Sequence, residues 1–208
     1  MTRPDRPPTS HERRAGRPWD DSYQHGPPPW DAGGPRSAVV RLCDHGAFAG
    51  PVLDAGCGAG EDALEIAARG IEVVGVDVPP TAIRQARDKA AARGIAATFL
   101  VADALRLDRL GRTFASVLDC GLFHTFDDDE RRAYVQSVAA VTTSGSVLHL
   151  LCVSDTTPGD EGPRRISESE LRASFHTGWK VVAIEADRLE TGLDPAGFPA
   201  WLATIERA

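Results

Sequence analysis

The sequence predicts an α/β protein: a doubly wound, mostly parallel seven-stranded sheet with helices on both faces. Three observations carry this expectation. Short apolar runs alternate with helix-forming stretches from Val52 onward. Three successive runs end in an acidic residue, at Asp54, Asp77 and Asp103. Between the first run and the first helix of this series, Gly56, Gly58 and Gly60 fall at alternate positions. Strand–helix alternation at this spacing implies parallel strands joined by crossover helices, with a ligand crevice outside the carboxyl ends of the strands.

The elements follow in order. Eight of the 15 prolines precede Arg36, mixed with Arg, Asp, His and Gly. Such a segment buries too little apolar surface to offset its ordering entropy, so residues 1–25 are expected to be disordered or loosely docked. Residues 26–208 then form one domain. Ser37–Leu42 reads as an amphipathic helix behind the aromatic Trp30. Val52–Ala55 is the first strand, and Glu61–Arg69 a helix ended by Gly70. Ile71–Asp77 is the second strand. Pro79–Arg93 is a helix with proline near its first turn, closed by Gly94. Ala97–Val101 and Phe114–Asp119 are the third and fourth strands. Asp127–Val141 is a helix whose acidic start suits the helix dipole. Ser146–Val153 is long and almost wholly apolar, as a central parallel strand should be. Ser167–Phe175 opens on a capping-box pattern. Lys180–Ala186 and Ala200–Glu206 supply the last two strands.

Bulk properties exclude several classes. A net charge of -7 argues against nucleic-acid partners, which require a basic face. No apolar run approaches a membrane span, and the start lacks a secretory signal pattern. The four cysteines (Cys43, Cys57, Cys120 and Cys152) make no metal-binding spacing, which fits reduced thiols in the cytoplasm and no metal. The partner class left is a small molecule, bound by a monomer or homodimer.

The residues Asp54 to Gly60 describe a buried strand, a tight turn and a helix start. Their spacing is neither the dinucleotide fingerprint nor the phosphate loop, and no lysine follows to meet a phosphate. A ligand without a pyrophosphate is favoured, and the acid suggests a cationic part. Asp77 lies where an acidic side chain would accept hydrogen bonds from ribose hydroxyls. Asp103 converges on the same sheet edge, or caps the turn that follows it.

This combination resembles the class I S-adenosylmethionine-dependent methyltransferases, with their Rossmann-like fold, over about Val52 to Val153. The resemblance implies that Asp54, Gly56, Cys57, Gly58 and Gly60 wrap the methionine end of the cofactor. It implies that Asp77, with Val78 beside it, holds the ribose. It places Asp103 and the Ala104 backbone at the adenine, and Asp119 with Cys120-Gly121-Leu122-Phe123-His124 beside the sulfonium. Upstream, Pro29-Trp30-Asp31-Ala32-Gly33 is similar to a segment of the thiopurine, thiol and halide methyltransferases, and small tellurite-resistance-type enzymes look related. There this tryptophan helps close the cofactor pocket, which implies that role for Trp30.

The expected reaction is methyl transfer to a small molecule, with a thiol or similar soft nucleophile as first choice. The alternative is O- or N-methylation of a phenolic, quinolone-like or other heterocyclic metabolite. His124 is the candidate base, since it follows the fourth strand and its ordinary pKa suits proton transfer; packing over the cofactor is the alternative. Arg164 and Arg165, in the Pro/Gly-rich loop after the fifth strand, could hold an anionic group of the acceptor. Phe123 could wall an aromatic one. Outside this class stand a non-catalytic S-adenosylmethionine binder and a Rossmann oxidoreductase, the latter requiring a different glycine spacing.

Overall fold

A computed structural model describes residues 6–159 and 162–208. Residues 1–5 of the expected loose segment, and residues 160 and 161 of the loop that carries Arg164, lie outside the described residues. Among the described residues seven strands form one sheet: β1 (Val52–Ala55), β2 (Val73–Asp77), β3 (Thr98–Val101), β4 (Phe114–Cys120), β5 (Thr142–Val153), β6 (Trp179–Leu189) and β7 (Phe198–Arg207). Their order is β3-β2-β1-β4-β5-β7-β6. The first five run parallel, and β7 is antiparallel to both β5 and β6. The sheet is therefore mostly parallel, as expected. Its order reverses between β1 and β4, which opens a crevice at their carboxyl ends.

Among the described residues six α-helices accompany the sheet: α1 (Ser10–Ala15), α2 (Ser37–Asp44), α3 (Glu61–Ala68), α4 (Pro80–Arg93), α5 (Asp128–Ala140) and α6 (Glu168–Ser174). Strand side chains alternate between two cores, because successive Cβ atoms point to opposite faces. Val52 and Leu118 pack with Val39 of α2, Ile66 of α3 and Ile83 of α4. Leu53 and Val117 pack with Tyr134 and Val138 of α5 and Leu171 of α6. Capping chemistry sets the helix starts. Asp127 and Ser167 both make reciprocal capping boxes, with Glu130 and Glu170.

Two parts depart from the sequence reading. β5 begins at Thr142 rather than Ser146, because Gly145 at φ 85° admits a bulge against β4 and the ladder resumes. The larger departure is at the N-terminal end. From Arg6 onward the segment expected to be loose is docked, with Thr9, Glu12 and Tyr23 buried. Thr9 and Glu12 form a capping box for α1. The Ser10 N–H and hydroxyl both donate to Glu130 at 2.6 Å. The Thr81 N–H and hydroxyl donate to Asp20 at 2.8 and 3.1 Å, so Asp20 serves the first turn of α4. This strap thus bridges α4 and α5 across the crevice.

Candidate active site

β1, β2 and β4 deliver Asp54, Asp77 and Asp119 to one sheet edge, each at or next to the last residue of its strand. The Gly56 and Cys57 N–H groups both donate to the Val76 carbonyl, at 2.8 and 3.0 Å, which folds the turn back over β2. Asp77 then ties the turn down. One of its carboxylate oxygens accepts from the Gly58 N–H and the other from the Val78 N–H, each at 2.7 Å. Burial pushes the Asp77 carboxyl up to about 6 even though these two N–H groups favour its ionised form.

The glycines serve different neighbours. Gly58 has φ 53°, and a Cβ there would lie 3.1 Å from the Tyr23 hydroxyl. Gly60 has φ 84°, and a Cβ there would press on Ala86 at 2.8 Å and Phe99 at 2.9 Å. Gly60 is therefore demanded by packing of α4 and β3 against the turn.

Asp54 and Asp119 each keep a buried Oδ2 with no hydrogen-bond partner. Asp54 is 1% exposed. Its carboxyl is raised well above the ordinary range, by burial first and by Asp62 second, with Arg36 opposing. Asp119 is wholly buried. Its Oδ1 accepts from the Leu122 and Phe123 N–H groups at 2.9 and 3.2 Å, which shapes the loop after β4. Burial pushes this carboxyl up to about 6. At the end of β3, Asp103 Oδ1 accepts from the Leu105 N–H at 2.9 Å, capping the short turn that Ala104 begins.

The strap roofs this edge with aromatic rings. Trp30 Nε1 donates to the Tyr23 hydroxyl at 3.0 Å. Trp19 stands edge-on to Trp30 with centroids 5.3 Å apart, and His11 stacks flat on Trp19 at 4.1 Å. The Tyr23 hydroxyl is held protonated by burial and by the nearby Asp77 charge. Trp19, Asp20 and Tyr23 were not singled out from sequence. The available signal was compositional: two of four tryptophans and one of two tyrosines precede Arg36. A solvated tail would not concentrate them.

Other candidates land away from their expected roles. Phe123 is fully buried between Tyr134 and Phe175, beneath the Arg131 guanidinium, so it belongs to the core and walls no pocket. His124 is buried, and its Nδ1 accepts from the Val153 N–H at 3.2 Å. The ring therefore carries its proton on Nε2. Burial, with the positive charges of Arg131 and His11, pushes its pKa down to about 3. It is a hydrogen-bond donor at neutral pH and a poor base. Arg164 is shared between Asp128 and Glu170, both at 2.5 Å, while Arg165 donates to the Pro163 and Pro158 carbonyls. Both arginines hold the loop in place. Arg164 also lines a cavity of about 410 Å³ with Ser10, Arg13, Arg14, Phe126 and Asp127. Among the described residues no cluster of His, Cys, Asp and Glu could hold a metal, and no helix is long and apolar enough to cross a membrane.

An orphaned buried carboxylate at the turn, an acid at the end of β2 and a glycine cradle fit a cationic nucleoside. The sheet order and this edge define an α/β protein with a ligand crevice where the order reverses between β1 and β4. Comparison with known proteins is specific. The methyltransferase-domain family matches residues 52–145. The 2-heptyl-1-hydroxyquinolin-4(1H)-one methyltransferase of Mycobacteroides abscessus is 37% identical over 165 residues, covering 78% of this chain and 73% of its own. A solved structure from work on the conversion of a disulfide bond into a thioacetal group during echinomycin biosynthesis is 39% identical. It superimposes with a TM-score of 0.79, over 86% of this chain and 84% of that one. "Probable thiol methyltransferase 2" of Arabidopsis thaliana is 26% identical over 178 residues, covering 84% of this chain and 78% of its own. The chain belongs to the class I S-adenosylmethionine-dependent methyltransferases.

Proposed function

We propose that this methyltransferase acts on a small molecule whose attacking atom reaches the site already ionised or intrinsically soft. A thiol or related sulfur comes first, and an acidic hydroxyl on a heterocycle second. The observation that carries this reading is the state of His124. Its Nδ1 lone pair is engaged by the Val153 N–H, and its pKa lies near 3. A side chain in that state takes no proton from an acceptor at neutral pH. An acceptor that needs no base is therefore favoured, and thiolates are the commonest of these.

The cofactor supplies an activated methyl group on a sulfonium. The chain's own residues align and dry the site around it. In this reading Asp77 and Val78 hold the ribose side, Asp103 and Ala104 the adenine side, and Asp54 with Gly56, Cys57, Gly58 and Gly60 the methionine end. Asp119 sets the loop beside the reacting atoms. Trp30, with Trp19 and Tyr23, excludes water from above. His124, protonated on Nε2, offers a donor that could steady an anionic acceptor. The relatives with sulfur in their descriptions support the first choice. The hydroxyquinolone enzyme specifically favours the second.

The test is a panel of aromatic thiols and heterocyclic hydroxyls, with acceptor pKa spanning about 5 to about 10, assayed with labelled S-adenosylmethionine. Turnover at neutral pH should fall as acceptor pKa rises, and each pH–rate profile should follow the acceptor's own ionisation. Equal turnover of weakly acidic phenols, with one enzyme-derived pKa across the series, would overturn the reading.

A further inference from the structure

Besides roofing the crevice, the strap walls a second space through α1. Ser10, Arg13 and Arg14 stand at i, i+3 and i+4 and so share one face of that helix. Opposite them are Phe126 and Asp127 before α5, with Arg164 from the loop after β5, and together they enclose about 410 Å³. That volume falls in the range of small-molecule sites, about 300–1,000 Å³. The cavity lies on the acceptor side of the crevice, since β4 and β5, and not β1 to β3, lead into these loops. Phe126 closes the short turn that holds His124, and Ser10 Oγ lies 3.5 Å from the Thr125 carbonyl between them.

Three guanidinium groups and one carboxylate line this space, and the three differ in what holds them. Arg13 Nη2 donates to Asp127 at 3.2 Å, and its Nη1 to the Pro8 carbonyl at 2.7 Å. Arg164 is divided between Asp128 and Glu170. These acids balance both arginines and fix their planes. Arg14 is exposed and, among the described residues, takes no part in the ion pairs that hold its neighbours. The uncommitted charge of the cavity is thus that of Arg14, and Phe126, 4% exposed, supplies its apolar surface. An aromatic ring bearing an anionic group matches both. We propose that the cavity receives a carboxylate of the methyl acceptor, with Arg14 as its ion-pair partner and Phe126 against the ring that carries it. The planar fork of Arg14 suits two carboxylate oxygens. Arg164, expected from sequence to hold such a group, keeps the wall in place instead. The proposal rests on the reading of a small-molecule acceptor given above, and narrows that acceptor to an aromatic acid. The strap then reads the acceptor as well as covering the donor.

The experiment is calorimetric and needs no turnover. The full-length protein, saturated with S-adenosylhomocysteine, is titrated with methylthiobenzoates that carry the carboxylate at the 3- or the 4-position, and with the matching carboxamides. The unmodified protein should bind one benzoate isomer about fivefold more tightly than its amide, the upper range for an ion pair open to water. That preference should shrink toward unity as salt rises from about 0.05 to about 0.5 M. Arg14→Gln should abolish it, with the amides changed by less than about twofold, and Arg14→Glu should reverse it. Arg17→Gln, which removes an exposed arginine from outside the lining, should keep it. A preference that survives Arg14→Gln, or none in the unmodified protein, overturns the proposal, and so does failure of all four compounds to bind. The broader acceptor reading is judged apart, by the series of thiols and hydroxyls. One enzyme-derived pKa across that series overturns the broader reading, while a carboxylate preference lost in Arg14→Gln still supports the cavity.

Discussion

At the scale of single residues, the site divides into groups that a ligand must complete and groups that the fold already satisfies. Asp77 belongs to both, since the Gly58 and Val78 N–H groups occupy its oxygens while its remaining lone pairs face the edge. Asp77→Asn keeps one acceptor oxygen and the side-chain volume. It should weaken S-adenosylhomocysteine binding by at least about tenfold, since a charge-assisted bond carries about 1.5–3 kcal/mol. Unchanged affinity by calorimetry would remove Asp77 from the ribose. His124 is already satisfied. Its replacement by Ala orphans the buried Val153 N–H, a loss of about 1–3 kcal/mol that a lower melting temperature would register. With a thiol acceptor, turnover per folded molecule should fall by less than about tenfold, below the usual contribution of a general base. A drop of several hundredfold would restore His124 as a base. The carboxylates were legible because each ends an apolar run. The state of His124 was not, because it depends on the Val153 N–H, 29 positions away, and on Arg131 and His11.

Elements were legible where their signals are local. The capping boxes at Asp127 and Ser167 sit within four residues of sequence, and both form. The glycine turn is equally local, and every strand was found to within a few residues. The strap was not legible, because its anchors span the chain: Ser10 reaches Glu130, and Asp20 reaches Thr81. Its few apolar groups are large rings that bury against each other, which no short periodicity reveals. Removing residues 1–24 should therefore leave the sheet folded, with an unchanged far-ultraviolet spectrum apart from lost helix. Cofactor affinity should fall on the order of tenfold or more, since Tyr23 and Trp19 leave the roof. Equal affinity in the truncated protein would reduce the strap to packing. Asp20→Ala is the finer test, because it removes the strap's hydrogen bonds to Thr81, keeps the Gln85 Nε2 bond to the Tyr23 carbonyl at 3.3 Å, and leaves the rings in place. It should weaken binding less than the truncation does.

At the scale of the whole molecule, the sheet gathers the carboxyl groups of Asp54, Asp77 and Asp119 at one edge. Asp77 and Asp119 both titrate at about 6, above the ordinary carboxylate range. A carboxyl whose folded pKa is raised stabilises the fold below its unfolded value, and that contribution is lost as pH rises through about 6. His124 runs the other way: its stabilising contribution is present above its unfolded value near 6.5 and lost as pH falls toward its folded pKa of about 3. Melting alone therefore mixes opposing terms. Cofactor binding separates them, because a sulfonium cation favours the ionised carboxylates. Affinity for S-adenosylmethionine should strengthen as pH rises from about 5 to about 7, with proton release visible as a buffer-dependent binding enthalpy. A flat profile in both measurements would exclude this coupling. The overall architecture was the most legible level of all, because alternation and strand-end acids are repeated signals. The long bulged β5 and the roof are single events that no repetition announces.

The strap has a consequence for how the molecule is made. Chains are synthesised from the amino terminus, and domains begin to fold as they emerge. The strap thus leaves the ribosome before its docking partners: Thr81 follows Asp20 by 61 residues, and Glu130 follows Ser10 by 120. Until Thr81 is made the strap has neither anchor, and until Glu130 is made it lacks the second. Closure of the crevice is one of the late steps of assembly, so a nascent chain passes through a stage in which the glycine turn exists and stands open to solvent.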